Sequence, residues 1–229
     1  MHESFEAPGA IEKWARKKGF AITYTHIYKG EALPKTTAGF DFLIIMGGPQ
    51  SPSTTLRECS YFNAQKEIQF IKQAYDKGKY LLGVCLGAQM IGEALGAKYD
   101  HSPNREIGVF DIELTDSAKN DPIFSTFPVK FPVGHWHGDM PGLTNESEIL
   151  ATSAGCPRQI IKYSPKVYGF QCHFEFTQET VEGMIKNCGH ELKEYKNLPY
   201  IQKVDELRLN DYQKMNELLF KFLDYIITV

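Results

Sequence analysis

One cysteine, Cys85, lies in a sequence context that is typical of a catalytic nucleophile. It occurs in Leu82-Gly-Val-Cys-Leu-Gly-Ala-Gln-Met90, where a short apolar run leads at once into a helix-like stretch. Gly83 and Gly87 flank it two residues away on either side, as in a nucleophile elbow, where larger side chains would collide on a sharp turn. Such a turn exposes the sulfur beside the N–H groups of the following helix, which favour a thiolate. The segment therefore predicts nucleophilic catalysis by Cys85.

A histidine and a glutamate far along the chain could supply the base that a thiol needs. His173 and Glu175 stand at the end of the strand-like run Gln171-Cys-His-Phe-Glu-Phe176. In an extended chain, residues i and i+2 point to the same face, so the two side chains would lie together. Glu175 can then orient the imidazole while His173 takes the proton of the thiol. The order Cys85, His173, Glu175 therefore predicts a catalytic triad.

The elements that must position these residues alternate between strand and helix in the first part of the chain. Apolar runs predict strands, and apolar residues repeating every three or four positions predict helices. The predicted elements are helix Pro8–Lys18, strand Ala21–Ile27, strand Asp41–Met46, helix Tyr61–Asp76, strand Tyr80–Val84 and helix Leu86–Leu95. This alternation predicts an α/β fold with a mostly parallel central sheet and helices on both faces.

The later part of the chain changes in character. Short connections between the next apolar runs predict a smaller antiparallel portion. The predicted elements are strands Ile107–Leu114, Glu148–Thr152, Gln159–Tyr163 and Val167–Cys172, then helices Gln178–Glu194 and Asp211–Ile227. One apolar stripe marks the last helix: Leu209, Tyr212, Met215, Leu219, Phe222 and Ile226. It favours a helix packed on its own domain over a helix that binds a partner.

Composition excludes several other classes of protein. The 229 residues are 42% hydrophobic and 23% charged, as in an ordinary folded domain. The net charge of −3 argues against a nucleic acid partner. No apolar run is long enough to span a membrane, and the N-terminus does not resemble a signal peptide, so a cytoplasmic location without a membrane partner is predicted. The five cysteines form no C-x-x-C pair, which predicts neither a disulfide framework nor a zinc knuckle.

Taken in order, the motifs resemble those of the class I glutamine amidotransferases, and most closely those of the amidotransferase domain of GMP synthase. Besides the cysteine and histidine segments, four others carry the resemblance: Met46-Gly-Gly-Pro-Gln-Ser51, Arg105-Glu-Ile-Gly108, Trp136-His-Gly-Asp139 and Cys156-Pro157. His-Phe-Glu stands at 173–175 where the family commonly has His-Pro-Glu. The resemblance implies a flavodoxin-like class I glutamine amidotransferase fold over residues 1–190 and a helical extension, 191–229, packed on the same domain. The first β-strand of the family is expected to be missing ahead of His2.

The resemblance also implies a reaction. The substrate would be glutamine or another γ-glutamyl compound, whose side-chain amide Cys85 attacks to form a γ-glutamyl thioester with release of ammonia. The positions carried over from the family are Gly48 and Leu86 for the oxyanion hole, and Gln89, Gly138 and Asp139 for substrate binding, the last two in a turn. No cofactor and no metal are expected. The ammonia acceptor would be a separate synthetase subunit or absent.

Several alternatives remain open at the level of sequence. A γ-glutamyl peptide or amine hydrolase would use the same nucleophile, and a non-catalytic amidotransferase-like subunit would need none of the triad. An enzyme of the DJ-1/PfpI type is disfavoured by the late H-x-E pair. Gly47-Gly48-Pro49 lacks the residues of a nucleotide phosphate loop. His135 and His137 could place two imidazoles on one strand face for zinc, but no third ligand is evident at a plausible spacing.

Overall fold

The computed structural model describes all 229 residues and contains one eight-stranded sheet. Its strands are β1 Phe42–Ile45, β2 Tyr80–Val84, β3 Asp100–Leu114, β4 Lys130–Met140, β5 Glu148–Ser153, β6 Ile160–Ser164, β7 Val167–Phe170 and β8 Tyr200–Ile201. Its helices are α1 Gly9–Lys17, α2 Ala64–Asp76, α3 Leu86–Ala94, α4 Asp116–Asn120, α5 Gln178–Glu194, α6 Val204–Leu209 and α7 Gln213–Ile226. Two 3₁₀ turns lie at Ile27–Lys29 and Phe124–Thr126. None of the helices combines the length and the apolar character needed to cross a bilayer.

The strand order is β1-β2-β7-β6-β5-β3-β4, with β8 paired to β3. β1, β2 and β7 are parallel neighbours, and every pairing from β7 through β6, β5 and β3 to β4 is antiparallel. The predicted α/β class is therefore confirmed, but the parallel portion is smaller than expected. The strands from β5 to β7 follow one another through connections too short for a crossover helix, and such connections impose antiparallel pairing.

The sheet is covered on both faces, as predicted. Buried apolar residues of α1, α5 and α7 pack together against one face. A second cluster joins α2 and α3 to the other face. Each helix buries its apolar stripe in this way. The candidate site lies where the central strands β2 and β7 end, because Cys85 follows β2 and His173 comes shortly after β7.

The predicted strand Ala21–Ile27 is wrong. Residues 20–26 form no regular structure, and a 3₁₀ turn begins at Ile27. The N–H of Ile27 donates to the carbonyl of Met1 at 2.9 Å, and the N-terminal ammonium of Met1 donates to the carbonyl of Thr25 at 2.9 Å. A strand needs a ladder of such bonds along its length, and contacts with one residue do not supply it.

The segment containing Trp136 to Asp139 is also different from the prediction, which placed a turn there. It lies within β4, which pairs with β3 from Lys130 opposite Glu113 to Met140 opposite Asp100. Proline, glycine and histidine residues interrupt the apolar alternation of this strand, so its pattern is hidden in the sequence. Long-range pairing with β3 determines the structure here.

The apolar stripe of the last helix is buried apart from one residue. Tyr212, Met215, Leu219, Phe222 and Ile226 join the core on the α1 side of the sheet. Leu209 instead ends α6, outside α7, and is 86% exposed. The break between the two helices at 210–212 removes Leu209 from the stripe.

Candidate active site

Cys85 lies on a strained turn between β2 and α3. Its backbone has φ 52° and ψ −111°, and it is the one non-glycine residue of the chain with a positive φ. Its N–H donates to the carbonyl of Phe170 at the end of β7, at 2.7 Å. A non-glycine residue is held in this conformation only when its surroundings enforce it, and such residues are concentrated at functional sites. The predicted elbow is therefore present.

The flanking glycines allow the elbow to form. A Cβ atom on Gly83 would lie 2.3 Å from the carbonyl carbon and oxygen of Gly87, and one on Gly87 would lie 2.0 Å from the carbonyl oxygen of Ile45. Both distances are far inside van der Waals contact. The first turn of α3 therefore packs directly on the strand backbone, which no larger residue permits.

His173 and Glu175 follow β7 and lie next to the elbow. The Nδ1 atom of His173 is 2.6 Å from Oε1 of Glu175, and both side chains are almost fully buried. The backbone of His173 bridges to Gly134 of β4, and its ring stacks on Phe176 with 4.2 Å between ring centroids. Its Nε2 atom has no hydrogen-bond partner in the protein. The imidazole is thus held at Nδ1 by Glu175, while Nε2 is left without a partner and can take part in proton transfer.

Opposing effects set the charges of this pair. Burial raises the pKa of the Cys85 thiol, and interaction with His173 opposes this increase. Burial would lower the pKa of His173, but the Glu175 carboxylate and Cys85 outweigh it, and this pKa lies well above its usual value. An imidazolium beside the sulfur favours the thiolate. The pKa of the thiol remains above its usual value, so the structure shows a buried cysteine beside an imidazole that a carboxylate keeps charged.

Of the two predicted oxyanion-hole residues, Leu86 directly follows Cys85, and Gly48 packs against the side chain of Leu86. Leu86 is the first residue of α3, and the interaction of its N–H with Cys85 lowers the pKa of the thiol. Gly48 is in contact with this region, because a Cβ on Gly48 would lie 3.1 Å from the side chain of Leu86. The same Cβ would be 2.8 Å from His2, so no side chain fits between the loop and the N-terminal segment.

A chain of amides leads from α3 to the sulfur. The side-chain N–H of Gln89 donates to Gln171 at 3.1 Å, and that of Gln171 donates to Sγ of Cys85 at 3.4 Å. The remaining carboxamide oxygen of Gln89 has no partner. Gln89 was predicted as a substrate-binding residue, and it lies within two hydrogen bonds of Cys85. Gln171 was not singled out, although it stands two residues before His173.

Two elements from the ends of the chain hold the backbone around Glu175. The N–H of Ala10, in α1, donates to the carbonyl of Glu175 at 2.9 Å. The side-chain amide of Asn216, in α7, donates to the carbonyls of Phe174 at 2.7 Å and Phe176 at 2.9 Å. These bonds fix the segment that carries the carboxylate. Sequence reasoning missed Asn216, because nothing in its own segment marks it.

Comparison with known proteins decides the family. The sequence model of the glutamine amidotransferase class-I family matches residues 10–192. The chain belongs to the class I glutamine amidotransferase family.

Relatives and solved structures agree with this assignment. The glutamine amidotransferase-like protein YfeJ of Salmonella typhimurium is 49% identical over 224 residues, 98% of this chain and 94% of YfeJ. GMP synthase of Pediococcus pentosaceus is 33% identical over 135 residues, 58% of this chain and 24% of that enzyme. The crystal structure of SMU.1228c is 48% identical, with a TM-score of 0.97 over 99% of this chain and 97% of that one. A glutamine amidotransferase of Thermotoga maritima is 25% identical, with a TM-score of 0.87 over 100% and 96%.

The predicted substrate residues Gly138 and Asp139 of this class I amidotransferase chain lie near the end of β4. The guanidinium of Arg105 covers Gly138, within 2.9 Å of where a Cβ would be. Asp139 is 2.7 Å from Nδ1 of His101, and its carboxylate raises the pKa of that exposed histidine. The Asp139 side chain is 28% exposed.

Glu6 is a buried acidic residue next to Cys85 in the candidate site, and sequence reasoning missed it. Its Oε2 atom would lie 2.5 Å from a Cβ on Gly47, and Cβ of Cys85 is 3.4 Å from the same point. Burial raises the pKa of Glu6 to about 7, and the charge of His173 opposes this increase. A carboxyl group with this pKa is the kind of group that clusters at functional sites. No motif surrounds it, since it lies in the irregular segment ahead of α1.

The other four cysteines of the amidotransferase are free thiols. Burial raises the pKa of Cys156 to about 11 and that of Cys188 to about 12, and that of Cys172 lies well above its usual value. At Cys85 the interaction with His173 opposes the effect of burial, whereas no histidine does so at these three thiols. A surface cleft of about 440 Å³ between α2 and residues 27–35 lies away from Cys85 and does not belong to the site.

Proposed function

We propose that this chain hydrolyses the side-chain amide of glutamine through a γ-glutamyl thioester on Cys85, with His173 and Glu175 completing the triad. The proposal rests on one observation: a buried imidazole, bound to a carboxylate and with no partner at Nε2, lies beside Cys85, the one non-glycine residue with a positive φ. A buried cysteine with a structural role has no need of this strained backbone or of a paired histidine. Membership of the class I family supports glutamine as the first substrate to test.

The proposed reaction has two halves. The Cys85 thiolate attacks the amide carbon, and the carbonyl electrons move to oxygen to form a tetrahedral intermediate. Collapse of this intermediate breaks the C–N bond, and His173 gives its proton to the departing nitrogen, which leaves as ammonia. His173 then takes a proton from water, whose oxygen attacks the thioester and releases glutamate and the thiolate. Glu175 keeps the imidazole oriented through both halves and stabilises its positive charge whenever it carries the extra proton.

The negative oxygen of the intermediate would be stabilised by the N–H groups of Gly48 and Leu86. Leu86 begins α3, where the helix dipole adds to the effect. Removing one such donor typically costs about 3 kcal/mol of transition-state stabilisation. The proposed role gives a reason for the absence of side chains at Gly47 and Gly48, because a Cβ at either position would collide with its neighbours.

Substrate positioning is proposed for Gln89, Gly138 and Asp139. The unpartnered carboxamide oxygen of Gln89 can accept a hydrogen bond from the amide end of the substrate. The carboxylate of Asp139, which contacts the imidazole of His101, can instead bind the ammonium group of the ligand. The ammonia acceptor is proposed to be a separate synthetase, since several relatives are named as GMP synthases and one as a GMP synthase subunit.

The test is a panel of γ-glutamyl substrates with separate readouts for ammonia and for released amines. We expect ammonia from glutamine, loss of this activity in Cys85→Ala, and its retention in Cys59→Ala, which changes the least buried thiol. Preferential release of an alkylamine or a peptide would instead identify a γ-glutamyl hydrolase. Protein that is inert with the whole panel, with and without a synthetase partner, would contradict the proposal and favour a non-catalytic subunit.

A further inference from the structure

Three metal-ligating side chains converge between β3 and β4, outside the proposed triad. Glu106 of β3 lies directly opposite His137 of β4 in the strand register, and His135 lies two residues away on the same face. All three are buried, with exposures of 0% for Glu106, 0% for His135 and 4% for His137. The strand pairing thus supplies the third group that the sequence did not reveal beside the two histidines.

The ligand atoms form a nearly regular triangle. Nδ1 of His135 is 3.3 Å from Nε2 of His137, while Oε2 of Glu106 is 3.4 Å from Nε2 of His137 and 3.6 Å from Nδ1 of His135. The same Oε2 atom accepts hydrogen bonds from the amide of Gln159 at 2.7 Å and from the hydroxyl of Ser153 at 2.9 Å, which hold the carboxylate in place. Three atoms that can act as metal ligands therefore lie at the corners of one small triangle.

A tetrahedral zinc ion fits these separations. Zinc binds imidazole nitrogen at about 2.0–2.1 Å and carboxylate oxygen at about 2.0–2.2 Å, which places neighbouring ligand atoms roughly 3.3–3.5 Å apart. We propose that Glu106, His135 and His137 bind a structural divalent metal ion, with zinc preferred. Two histidines and one carboxylate can also hold iron(II), but that use needs open positions reached by small molecules, and this cluster is enclosed.

The surroundings of the triangle support metal ligation. Nε2 of His135 faces the carbonyl of Phe110 at 3.3 Å, and donation to it leaves the lone pair of Nδ1 directed at the centre. Gln159 lies beside the triangle, with its amide nitrogen 3.3 Å from Nε2 of His137. The same nitrogen donates to the Glu106 carboxylate at 2.7 Å, so Gln159 orients this ligand from outside the triangle, and water would take the fourth position of a tetrahedral ion.

The ion would have a role in positioning the proposed triad. It would tie β3 to β4, and β4 contacts both catalytic groups: Gly134 bridges to His173, and the carbonyl of Trp136 lies 3.8 Å from Sγ of Cys85. No step of the proposed chemistry passes through it. The inference stands apart from the proposed function, because metal binding is measured without any substrate.

The experiment uses the full chain in a Cys85→Ala background, which removes the thiol that could bind zinc together with His173. Protein purified from zinc-supplemented cells is analysed for metal content, and the metal is then removed under denaturing conditions and replaced with cobalt(II). We expect close to one zinc per chain, a cobalt spectrum of a four-coordinate site without a thiolate band, and a higher melting temperature with metal than without.

Ligand variants and a matched control complete the test. His135→Asn and Glu106→Gln are expected to lose the metal and the cobalt spectrum, whereas His190→Asn, which changes an exposed histidine, is expected to keep both. The cobalt measurement requires no ligand variant, so variants that fail to fold do not remove the test. Wild-type protein that folds without metal and takes up neither zinc nor cobalt would overturn the proposal, as would a cobalt spectrum with thiolate ligands.

Discussion

The charge on His173 is determined by its neighbours within the buried cluster. Glu175 is the main group that raises its pKa against the effect of burial. In the proposed reaction, the protonated ring favours the thiolate of Cys85 and later supplies the proton for the leaving nitrogen. Under this proposal Glu175 acts on the reaction through His173 and is a positioning residue.

Glu175→Gln tests this role with little change in shape. Because the pKa of His173 falls when the carboxylate is lost, the imidazolium is lost at lower pH. We expect the alkaline limb of the pH profile of kcat/KM to move to lower pH, and kcat/KM at neutral pH to fall roughly 10²–10⁴-fold. Glu179→Gln, which changes an exposed glutamate on α5, is the control. An unchanged alkaline limb with near-normal activity would contradict the role of Glu175.

The elbow is the element whose structure follows most directly from local sequence. Gly83 and Gly87 mark it because the steric demand of the turn is felt within a few residues of Cys85. The pairing of His173 with Glu175 was also predictable, since i and i+2 share a face in an extended chain. Both predictions needed only short-range geometry.

Other parts of the site depend on contacts between distant segments. Asn216 holds a carbonyl 42 residues away in sequence, and Glu106 meets the two histidines through the β3–β4 register. The sequence around Asn216 and the sequence around Glu106 contain no periodic pattern that predicts these contacts. The same reason explains the hidden strand β4 and the wrong strand at 21–27, because pairing partners determine strands more than intrinsic propensity does.

Gly87→Ala tests the packing of the elbow. Its Cβ would lie 2.0 Å from a backbone oxygen of β1, so either α3 or the strand must move. We expect a loss of about 3 kcal/mol or more in the free energy of unfolding, measured by urea denaturation, together with loss of activity.

Gly189→Ala is the matched control for this substitution. Gly189 lies within α5, and a Cβ there meets nothing within 4 Å. We expect a gain of about 0.5–1 kcal/mol, because alanine loses less conformational entropy than glycine in a helix. Equal effects of the two substitutions would contradict the steric account of the elbow.

Asn216→Ala tests the support that α7 gives to the Glu175 segment. The change leaves the carbonyls of Phe174 and Phe176 without their donor, at a cost of about 1–3 kcal/mol in the free energy of unfolding. We also expect reduced kcat/KM and a shift of its alkaline limb in the same direction as in Glu175→Gln. Asn187→Ala, on the exposed face of α5, should leave both quantities nearly unchanged. Loss of stability with a normal pH profile would show that Asn216 does not position Glu175.

At the scale of the whole molecule, Glu6 makes stability depend on pH. Its pKa is about 7 in the folded protein against an ordinary value of 4.5, so the folded state holds this proton more tightly than the unfolded state. Between about pH 4.5 and 7 the unfolded state therefore binds fewer protons, and stability falls as pH rises through this window. The difference approaches about 3 kcal/mol above pH 7, at about 1.4 kcal/mol per pKa unit.

Glu6→Gln removes this dependence. Relative to the wild-type protein, the free energy of unfolding of the variant should rise steadily from pH 4.5 to 7 and then level off, as measured by urea denaturation across the range. A difference between the two proteins that does not change with pH would show that Glu6 is not held protonated by its surroundings.

Active-site labelling tests the central claim most directly. The protein is incubated with a diazoketone analogue of glutamine, and the adduct is located by intact mass and peptide mapping. We predict a single adduct on Cys85, formed ahead of the other four thiols, suppressed by excess glutamine and absent in Cys85→Ala. Labelling of Cys59 or Cys188 in preference to Cys85, or no adduct on the folded protein, would contradict the assignment of Cys85 as the nucleophile.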